Sequence, residues 1–382
     1  MEEAYAAVRW DIPSDFLSRE HYERTLLRLD LQASPGYPYL REAATIGLWL
    51  GVTLEGQFAP DQVERLWQHI LLILSGEFDH YYRVFVKDEV HRKKKADEGR
   101  WRLILASALP MQVLWHMLFA PMNDLEAEKI FHTPSAFGVS FVYGEWKMFK
   151  NYCRVKRLEV AIDKSGWDWN APGWVFDADL QLRYRLCNQA ERPAGHLWFA
   201  LARKLYDDAF EHSRCLLPSG QVYVQEFSGF MKSGIVNTIS TNSHAQIMLH
   251  MLACKRSGEP VTPILACGDD TIQAATSAGY IEELAKAGCI VKSVDRKLEF
   301  MGFNFEGAMQ PIYTVKHIAS FTYKSEELHG EILDSMCRMY AHHPWFDCWK
   351  MLAGSLGHNM KSRAWYQFFL DSTANIRITK SI

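Results

Sequence analysis

A chain of 382 residues that is 48% hydrophobic and 23% charged has a globular composition, which excludes a disordered or fibrous protein. Its length predicts one large lobed domain or roughly two to three subdomains. Lys plus Arg number 42 against 45 Asp plus Glu, so the net charge of -3 advertises no nucleic-acid binding, and any basic surface must be local.

The 8 cysteines are scattered without a Cys-x-x-Cys pair, which argues against structural zinc and fits reduced thiols in a cytosolic protein. The acidic start, Met1 to Tyr5, lacks the apolar core of a signal peptide. No apolar run approaches the roughly 20 residues of a membrane span.

In chain order, a helical pattern runs from Asp15 to Leu31. Two prolines and a glycine between Ala33 and Tyr39 predict an irregular, extended loop. Residues 40–80 are expected to be mostly helical, with Val63, Leu66, Ile70 and Leu74 at apolar spacing. Two β-prone runs, Tyr81 to Val86 and Trp101 to Leu105, flank a basic stretch carrying Lys87, Arg92, Lys93, Lys94, Lys95, Arg100 and Arg102. Such a stretch is commonly a solvated loop. The alternation of Arg100 and Arg102 favours more, because strand geometry would put both guanidinium groups on one face, ready for an anion such as a triphosphate. Residues 106–130 read as a core helix.

Leu158 to Asp163 is a strand pattern ending in an acid; Gly166 permits a turn, and Asp168 falls near the start of a helix. Residues 171–215 read as a polar-faced helical insertion, and Gln221 to Phe227 as a strand. After a flexible Ser233-Gly234 loop, Thr238, Asn242 and Ala245 recur at helical spacing, so Thr238 and Asn242 share a face. Ser, Thr and Asn are poor helix formers, and a conflict between propensity and position tends to mark function. The plain alternative is an N-capped surface helix.

Ile264 to Gln273 reads as a β-hairpin with Gly268-Asp269-Asp270 at its tip. Two adjacent carboxylates repel unless a cation lies between them. An amphipathic helix from Ala278 to Ala287, a strand from Cys289 to Val294 and the charged Asp295-Arg296-Lys297 follow. Leu298 to Phe305 and Gln310 to Thr314 are expected to form a hairpin around Glu306-Gly307. From Ser325 onward the pattern is helical, with Trp345, Trp349, Leu356, Trp365, Phe368 and Phe369 as expected core. No Gly/Pro-rich linker separates independent domains.

Taken in this order, the sequence resembles the RNA-dependent RNA polymerases of positive-strand RNA viruses, of the sobemovirus–polerovirus type. Ser233 to Ser243 and Lys87 to Ile104 carry the likeness most specifically, and it spans roughly Ser34 to Phe305. The resemblance implies an α+β right-hand polymerase fold with an antiparallel palm sheet flanked by helices. It implies fingers in 1–157, palm in 158–170, a fingers insertion in 171–227, palm again in 228–322 and a helical thumb in 323–382.

The implied activity is RNA-directed RNA polymerisation that replicates a viral RNA genome, by two-metal nucleotidyl transfer from NTPs onto the 3′ end of a growing strand. Two Mg²⁺ or Mn²⁺ ions would be held by Asp163 and Asp269, with Asp270 in support. Asp168 and Asn242, with Ser233 or Thr238 and the adjoining Gly234, would read the ribose 2′-hydroxyl. Arg102, with Arg100 and Lys87, would hold the triphosphate. Arg92, Lys93, Lys94 and Lys95 would line the nucleotide channel or touch the template. Ser34, Pro35 and Gly36 would sit at the template entrance, and Phe300 and Gly302 in the hairpin that grips the primer. The general acid for pyrophosphate falls among Lys292, Arg296 and Lys297, with Lys292 preferred.

RNA template and product and NTPs are the implied partners, with other viral replicase proteins or a protein primer beside them. The expected setting is a replication complex in the host cytoplasm. Two other readings are weaker. A reverse transcriptase is disfavoured by Gly268 and the Asp168/Asn242 pair. A non-catalytic RNA-binding protein with a decayed palm is disfavoured because every expected acid is present.

Overall fold

The computed structural model describes residues 1–373. Near the amino terminus α1 (Arg19–Leu26) is shorter than the pattern from Asp15 to Leu31 suggested, because the Ser18 hydroxyl accepts the His21 N–H at 3.1 Å and caps it. A one-turn α2 (Ile46–Trp49) precedes α3 (Pro60–Ser75), which Pro60 opens and a left-handed Gly76 closes. β1 (Tyr82–Val86) and β2 (Leu103–Ala106) pair antiparallel, and the basic arm between them folds a short α4 (Lys93–Asp97). α5 (Leu109–Glu128) is apolar nearly all round, and most of it is buried.

α6 (Glu145–Lys156) leads into β3 (Val160–Lys164), α7 (Trp167–Asn170), α8 (Gly173–Leu186) and α9 (Pro193–Phe210). β4 (Arg214–Leu216) and β5 (Val222–Val224) extend the sheet of β1 and β2. Then come α10 (Thr238–Ser257), β6 (Ile264–Cys267), β7 (Asp270–Gln273), α11 (Ala278–Lys286) and β8 (Val291–Asp295). Three two-residue strands follow, β9 (Glu299–Phe300), β10 (Phe303–Asn304) and β11 (Gln310–Pro311). Helices α12 (Thr314–Phe321), α13 (His329–Met339), α14 (Phe346–Ser355) and α15 (Arg363–Asp371) complete the described residues. The expected helical pattern beyond residue 373 lies outside them. None of the described helices is long and apolar enough to cross a membrane.

The four strands β6-β7-β3-β8, all antiparallel neighbours, separate two hydrophobic cores. Side chains alternate across a strand, so β6 serves both, while β3 turns its buried apolar residues to one core and β7 to the other. Val160, Ile162, Ile264 and Ala266 enter the larger core with α5 and α8 to α10. Leu265 and Ile272 enter the other, with α6, the small three-stranded sheet and α12 to α15.

Several sequence expectations need correction. α8 and α9 do expose polar residues such as Asp177, Gln181 and Lys204, but their other side is core: Val175, Phe176, Leu180, Trp198, Leu205 and Tyr206 are all buried in the larger core. Leu298 to Phe305 is two strands rather than one, because Met301 and Gly302 take left-handed conformations (φ 50° and 80°) and reverse the chain. In the carboxy-terminal helices Trp349 is buried and Phe369 packs partly, but Trp345, Leu356, Trp365 and Phe368 are exposed. α10 is not a surface helix; Ser240, Thr241, Asn242, Ser243, His244 and Gln246 are all buried.

Those polar groups are buried because they find partners. Asp179 on α8 accepts from Tyr206 at 2.6 Å and from Thr241 at 2.7 Å, and pairs with Arg183. Arg183 donates onward to Asn123 at 3.0 Å and Ser240 at 2.7 Å. The His244 imidazole bridges Asp179 at 2.5 Å and Glu126 at 3.2 Å. Two carboxylates thus face two cations with no solvent access, and removing one partner would strand its counter-charge. Burial alone would depress the His244 pKa, but Glu126 and Asp179 outweigh it and raise it to about 9.

The sign of the linkage follows. A histidine raised from 6.5 to about 9 contributes its full stabilisation below pH 6.5 and loses it as pH rises through about 9. Urea unfolding of the intact chain is expected to show a loss of about 3 kcal/mol between those limits, and His244→Gln to flatten that part of the profile. An unchanged slope in the variant would count against the protonated bridge.

Candidate active site

The hairpin expected at Gly268-Asp269-Asp270 forms, but its tip is only Gly268-Asp269: Asp270 is already in β7, opposite Cys267. Gly268 turns the chain with a positive φ of 63°, and its N–H donates to Ser243 Oγ on α10 at 2.9 Å. Asp163 is the last but one residue of β3. Ala161 pairs with Ile272, so by strand alternation Asp163 and Asp270 project from the same face of adjacent strands. On the other side of β3, the register with β8 shifts between Asp163 and Lys164. Lys292, in that irregular stretch, ion-pairs with the Asp163 carboxylate, and both side chains are about half exposed.

The electrostatics tie these acids together. Asp270 is pushed up to about 6, first by its protein surroundings and then by Asp269 and Asp163, with Lys164 opposing. Asp168 at the start of α7 is likewise raised to about 6 by burial and by Asp269, with Arg102 opposing. Asp269 therefore acts on both neighbours, and Arg102 reaches the same region. Burial raises the Tyr313 phenol, and Asp270 and Asp163 add to the rise, so this half-buried ring borders the acids.

Asn242 stands one turn beyond Thr238 on α10, and its Oδ1 accepts the Trp167 indole N–H at 2.7 Å. The Thr238 hydroxyl is turned onto the Ile235 carbonyl at 2.7 Å. The Ser233-Gly234 segment is not a free loop. Ser233 donates to the Leu103 carbonyl at 3.1 Å, and Gly234 packs so closely on β2 that a Cβ would stand 2.3 Å from the Leu105 oxygen.

The basic arm departs from the expected geometry. Arg100 and Arg102 precede β2, so strand alternation does not align them. Arg100 pairs with Glu98, and Arg102 with Glu89 at 2.9 Å. Lys87 at 3.5 Å and Lys316 of α12 at 3.6 Å meet the same Glu89 carboxylate. Arg92 immediately precedes α4, and Lys93, Lys94 and Lys95 lie within it, all exposed.

Three residues expected to touch RNA, Pro35, Gly36 and Phe300, are buried. Pro35 and Gly36 are buried: the Pro35 carbonyl accepts the Leu109 N–H at 2.8 Å, and Gly36, at φ 68°, has no room for a Cβ beside the Ser107 oxygen. They pin the loop to α5 and leave only Ser34 partly accessible. Phe300 is 3% exposed and stacks on Phe149, so it cannot grip a strand; Gly302 makes the turn that brings Tyr313 close.

Sequence reasoning gave no role to Lys164, Glu89 or Tyr313, and named Ser243 only as the end of its motif. Only Lys164 had a readable signal: with Val160 and Ile162 it completes the buried face of β3. The carboxylate oxygens of Asp163, Asp269 and Asp270 are hard donors, and the first two disfavour the ionisation of the third, which suits Mg²⁺ or Mn²⁺. Among the described residues no three His, Cys, Asp or Glu side chains are gathered into a ready-made ion cage. Mg²⁺ does not require one, since it commonly binds through one or two carboxylates, water and substrate phosphate.

Comparison with known proteins places these features in context. Residues 15–344 match the family model described as viral RNA-dependent RNA polymerase. The chain is 32% identical to the RNA-directed RNA polymerase of Mushroom bacilliform virus over 71% of its length and 67% of that protein's. It is 32% identical to the replicase polyprotein P2AB of Southern bean mosaic virus over 63% of this chain, but this match spans only 25% of the polyprotein. Among solved structures, the Sicinivirus 3Dpol RNA dependent RNA polymerase superposes with a TM-score of 0.75 at 17% identity, covering 97% of this chain and 84% of that one. That likeness shows the fold, an α+β right-hand polymerase architecture with antiparallel sheets.

Because Asp269 raises both Asp270 and Asp168, Asp269→Asn is expected to bring both titration midpoints down from about 6 toward the ordinary carboxylate value of 3.8. Carboxyl-carbon NMR titration of the metal-free protein reads this directly. Midpoints that stay in place would show that burial alone sets them.

Proposed function

The chain belongs to the viral RNA-dependent RNA polymerases, and from that premise we propose that it extends an RNA strand on an RNA template by two-metal nucleotidyl transfer from NTPs. The observation that carries this reading is the projection of Asp163 and Asp270 from one face of paired strands, with Asp269 at the turn beside them. Asp163, Asp269 and Asp270 would hold Mg²⁺ or Mn²⁺. Bound there, two such ions stabilise the attacking 3′-oxygen and the leaving pyrophosphate.

The chain's own residues bind, orient and move protons around that centre. Asp168 and Asn242 orient the ribose. The Asn242 amide is free to donate because its oxygen is engaged by Trp167, and a partly protonated Asp168 both donates to and accepts from a 2′-hydroxyl. Ser233, Gly234 and Thr238 support this pocket through the backbone contacts that seat their loop. Arg102 and Lys87, with Arg100 beside them, meet the triphosphate by exchanging Glu89 and Glu98 for phosphate oxygens. Lys292, exposed and beside Asp163, gives its proton to the pyrophosphate oxygen as that group leaves.

For the strands themselves, the exposed Arg92, Lys93, Lys94 and Lys95 and the partly accessible Ser34 contact backbone at the entrance. Tyr313, with Gly302 shaping its approach, borders the nascent end in place of Phe300. On this reading the sheet of β3, β6, β7 and β8 is the palm, the segments before it and 171–227 the fingers, and the helices after about residue 323 the thumb. The Southern bean mosaic virus relative carries a replicase polyprotein name, which supports work alongside other viral replicase proteins; a protein primer and a replication complex in the host cytoplasm belong to the same proposal.

The purified chain with Mg²⁺ or Mn²⁺, an RNA template and NTPs is expected to extend RNA, and Asp269→Ala to slow incorporation by roughly a thousandfold or more. Full incorporation by that variant would refute the metal assignment. Asn242→Ala is expected to reduce discrimination between NTP and dNTP by roughly tenfold to a hundredfold, measured by direct competition. A wild-type preference for dNTP would instead support reverse transcription.

A further inference from the structure

The proposed reaction gives Lys164 no task, yet the fold buries its ammonium directly behind the acids. Lys164 is 8% exposed, and a lysine is rarely buried without a purpose-built partner. It lies on the opposite face of β3 from Asp163, in line with Val160 and Ile162, where an aliphatic residue would satisfy the core. Its Nζ instead reaches across to β7. There it donates to the main-chain carbonyl of Asp269 at 3.0 Å and to the buried Thr271 hydroxyl.

The first of these bonds grips the turn that carries Asp269. The second fixes the ammonium beneath the point where β3 and β7 pair, since Thr271 lies opposite Ile162. Burial pulls the Lys164 pKa down to about 8, with Cys289, Asp269, Asp270 and Asp163 opposing that fall. Cys289, whose thiol burial pushes up, in turn interacts with the Lys164 charge. The nearest titratable neighbour on α10, His250, is itself held by Tyr280 and the Thr262 carbonyl, and burial depresses its basicity.

We infer that Lys164 is a built-in counter-cation and positioning residue, which holds the Gly268-Asp269 turn by its carbonyl and offsets the repulsion of the acids when no ion is bound. The inference rests on the reading of Asp163, Asp269 and Asp270 as metal ligands. It has a consequence opposite to that of an ordinary structural lysine. A fixed positive charge behind the ligands repels any second cation, so the acids bind a free divalent ion more weakly than their own charge allows. The negative charge that arrives with a nucleotide triphosphate offsets this repulsion. Loading of the metal is thereby coupled to loading of the substrate.

The test is Mn²⁺ binding to the full chain without nucleotide, followed by water-proton relaxation, with thermal unfolding recorded in EDTA and in Mn²⁺. Lys164→Met keeps the length of the side chain and removes its charge and donors. It is expected to bind Mn²⁺ about tenfold more tightly than wild type, to melt at a lower temperature in EDTA, and to gain more from Mn²⁺ than wild type does. Lys164→Arg, which keeps the charge, is expected to stay within about threefold of wild-type affinity. Loss of a merely structural lysine would weaken metal binding, so equal or weaker affinity in folded Lys164→Met overturns the inference. If Lys164→Met does not fold in either condition, Lys164→Gln, which retains a donor for the Asp269 carbonyl, carries the same comparison. Wild-type protein that binds no Mn²⁺, or Asp270→Asn that binds it as well as wild type, overturns the metal-ligand reading and the inference with it.

Discussion

The pairing of β3 with β7 is the constraint on which the rest of the molecule depends. Its register sets Ala161 against Ile272 and Ile162 against Thr271, and strand alternation does the remainder. Asp163 and Asp270 emerge on one face while Lys164 and Thr271 turn to the other. A slip of one residue would put the acids into the larger core and the aliphatic side chains into the cleft. β6 and β7 are buried along most of their length and β3 on one face, so the hydrophobic pattern enforces the register, and the acids occupy the strand ends where that burial stops.

α10 is the post against which the hairpin is set. The helix is composed of residues that resist helix formation in isolation, and it is stable because the core supplies what its polar groups need. Asp179, Arg183, Glu126 and His244 balance their charges out of contact with water, and Ser243, next to His244, reaches the hairpin turn. The turn is held twice, by Ser243 through the Gly268 N–H and by Lys164 through the Asp269 carbonyl. A two-residue turn held at both its donor and its acceptor has little freedom left, which is what a pair of carboxylates needs if its geometry is to be the same in every molecule.

The basic side of the cleft follows a different logic. Three cations from two elements meet one carboxylate, Glu89, and remain largely exposed. Glu89 itself is largely covered, but the cations' own side chains are about half exposed, so they can exchange it for another anion. The contrast between a buried, charge-balanced network under α10 and an exposed, cation-rich arm around Glu89 separates the part of the chain that must stay still from the part that must let a charged substrate in and out.

Much of this was legible in the residues. Local patterns carry the hairpin at Gly268, the strand ending near Asp163, the helix bearing Thr238 and Asn242, and the basic arm, because turn chemistry and side-chain periodicity act over a few residues. The resemblance, not these local signals, assigned RNA contacts to Pro35, Gly36 and Phe300, which are buried by segments remote in sequence. The local signals gave no hint of Glu89 as a shared counter-ion, of Tyr313 at the acids, or of the burial of α8 to α10. The sequence by itself determined which chemical groups the site contains and the order in which the chain delivers them. Only the tertiary structure decided which of them meet, because contact between Lys164 and Asp269, or Lys316 and Glu89, depends on packing between segments that no local periodicity encodes.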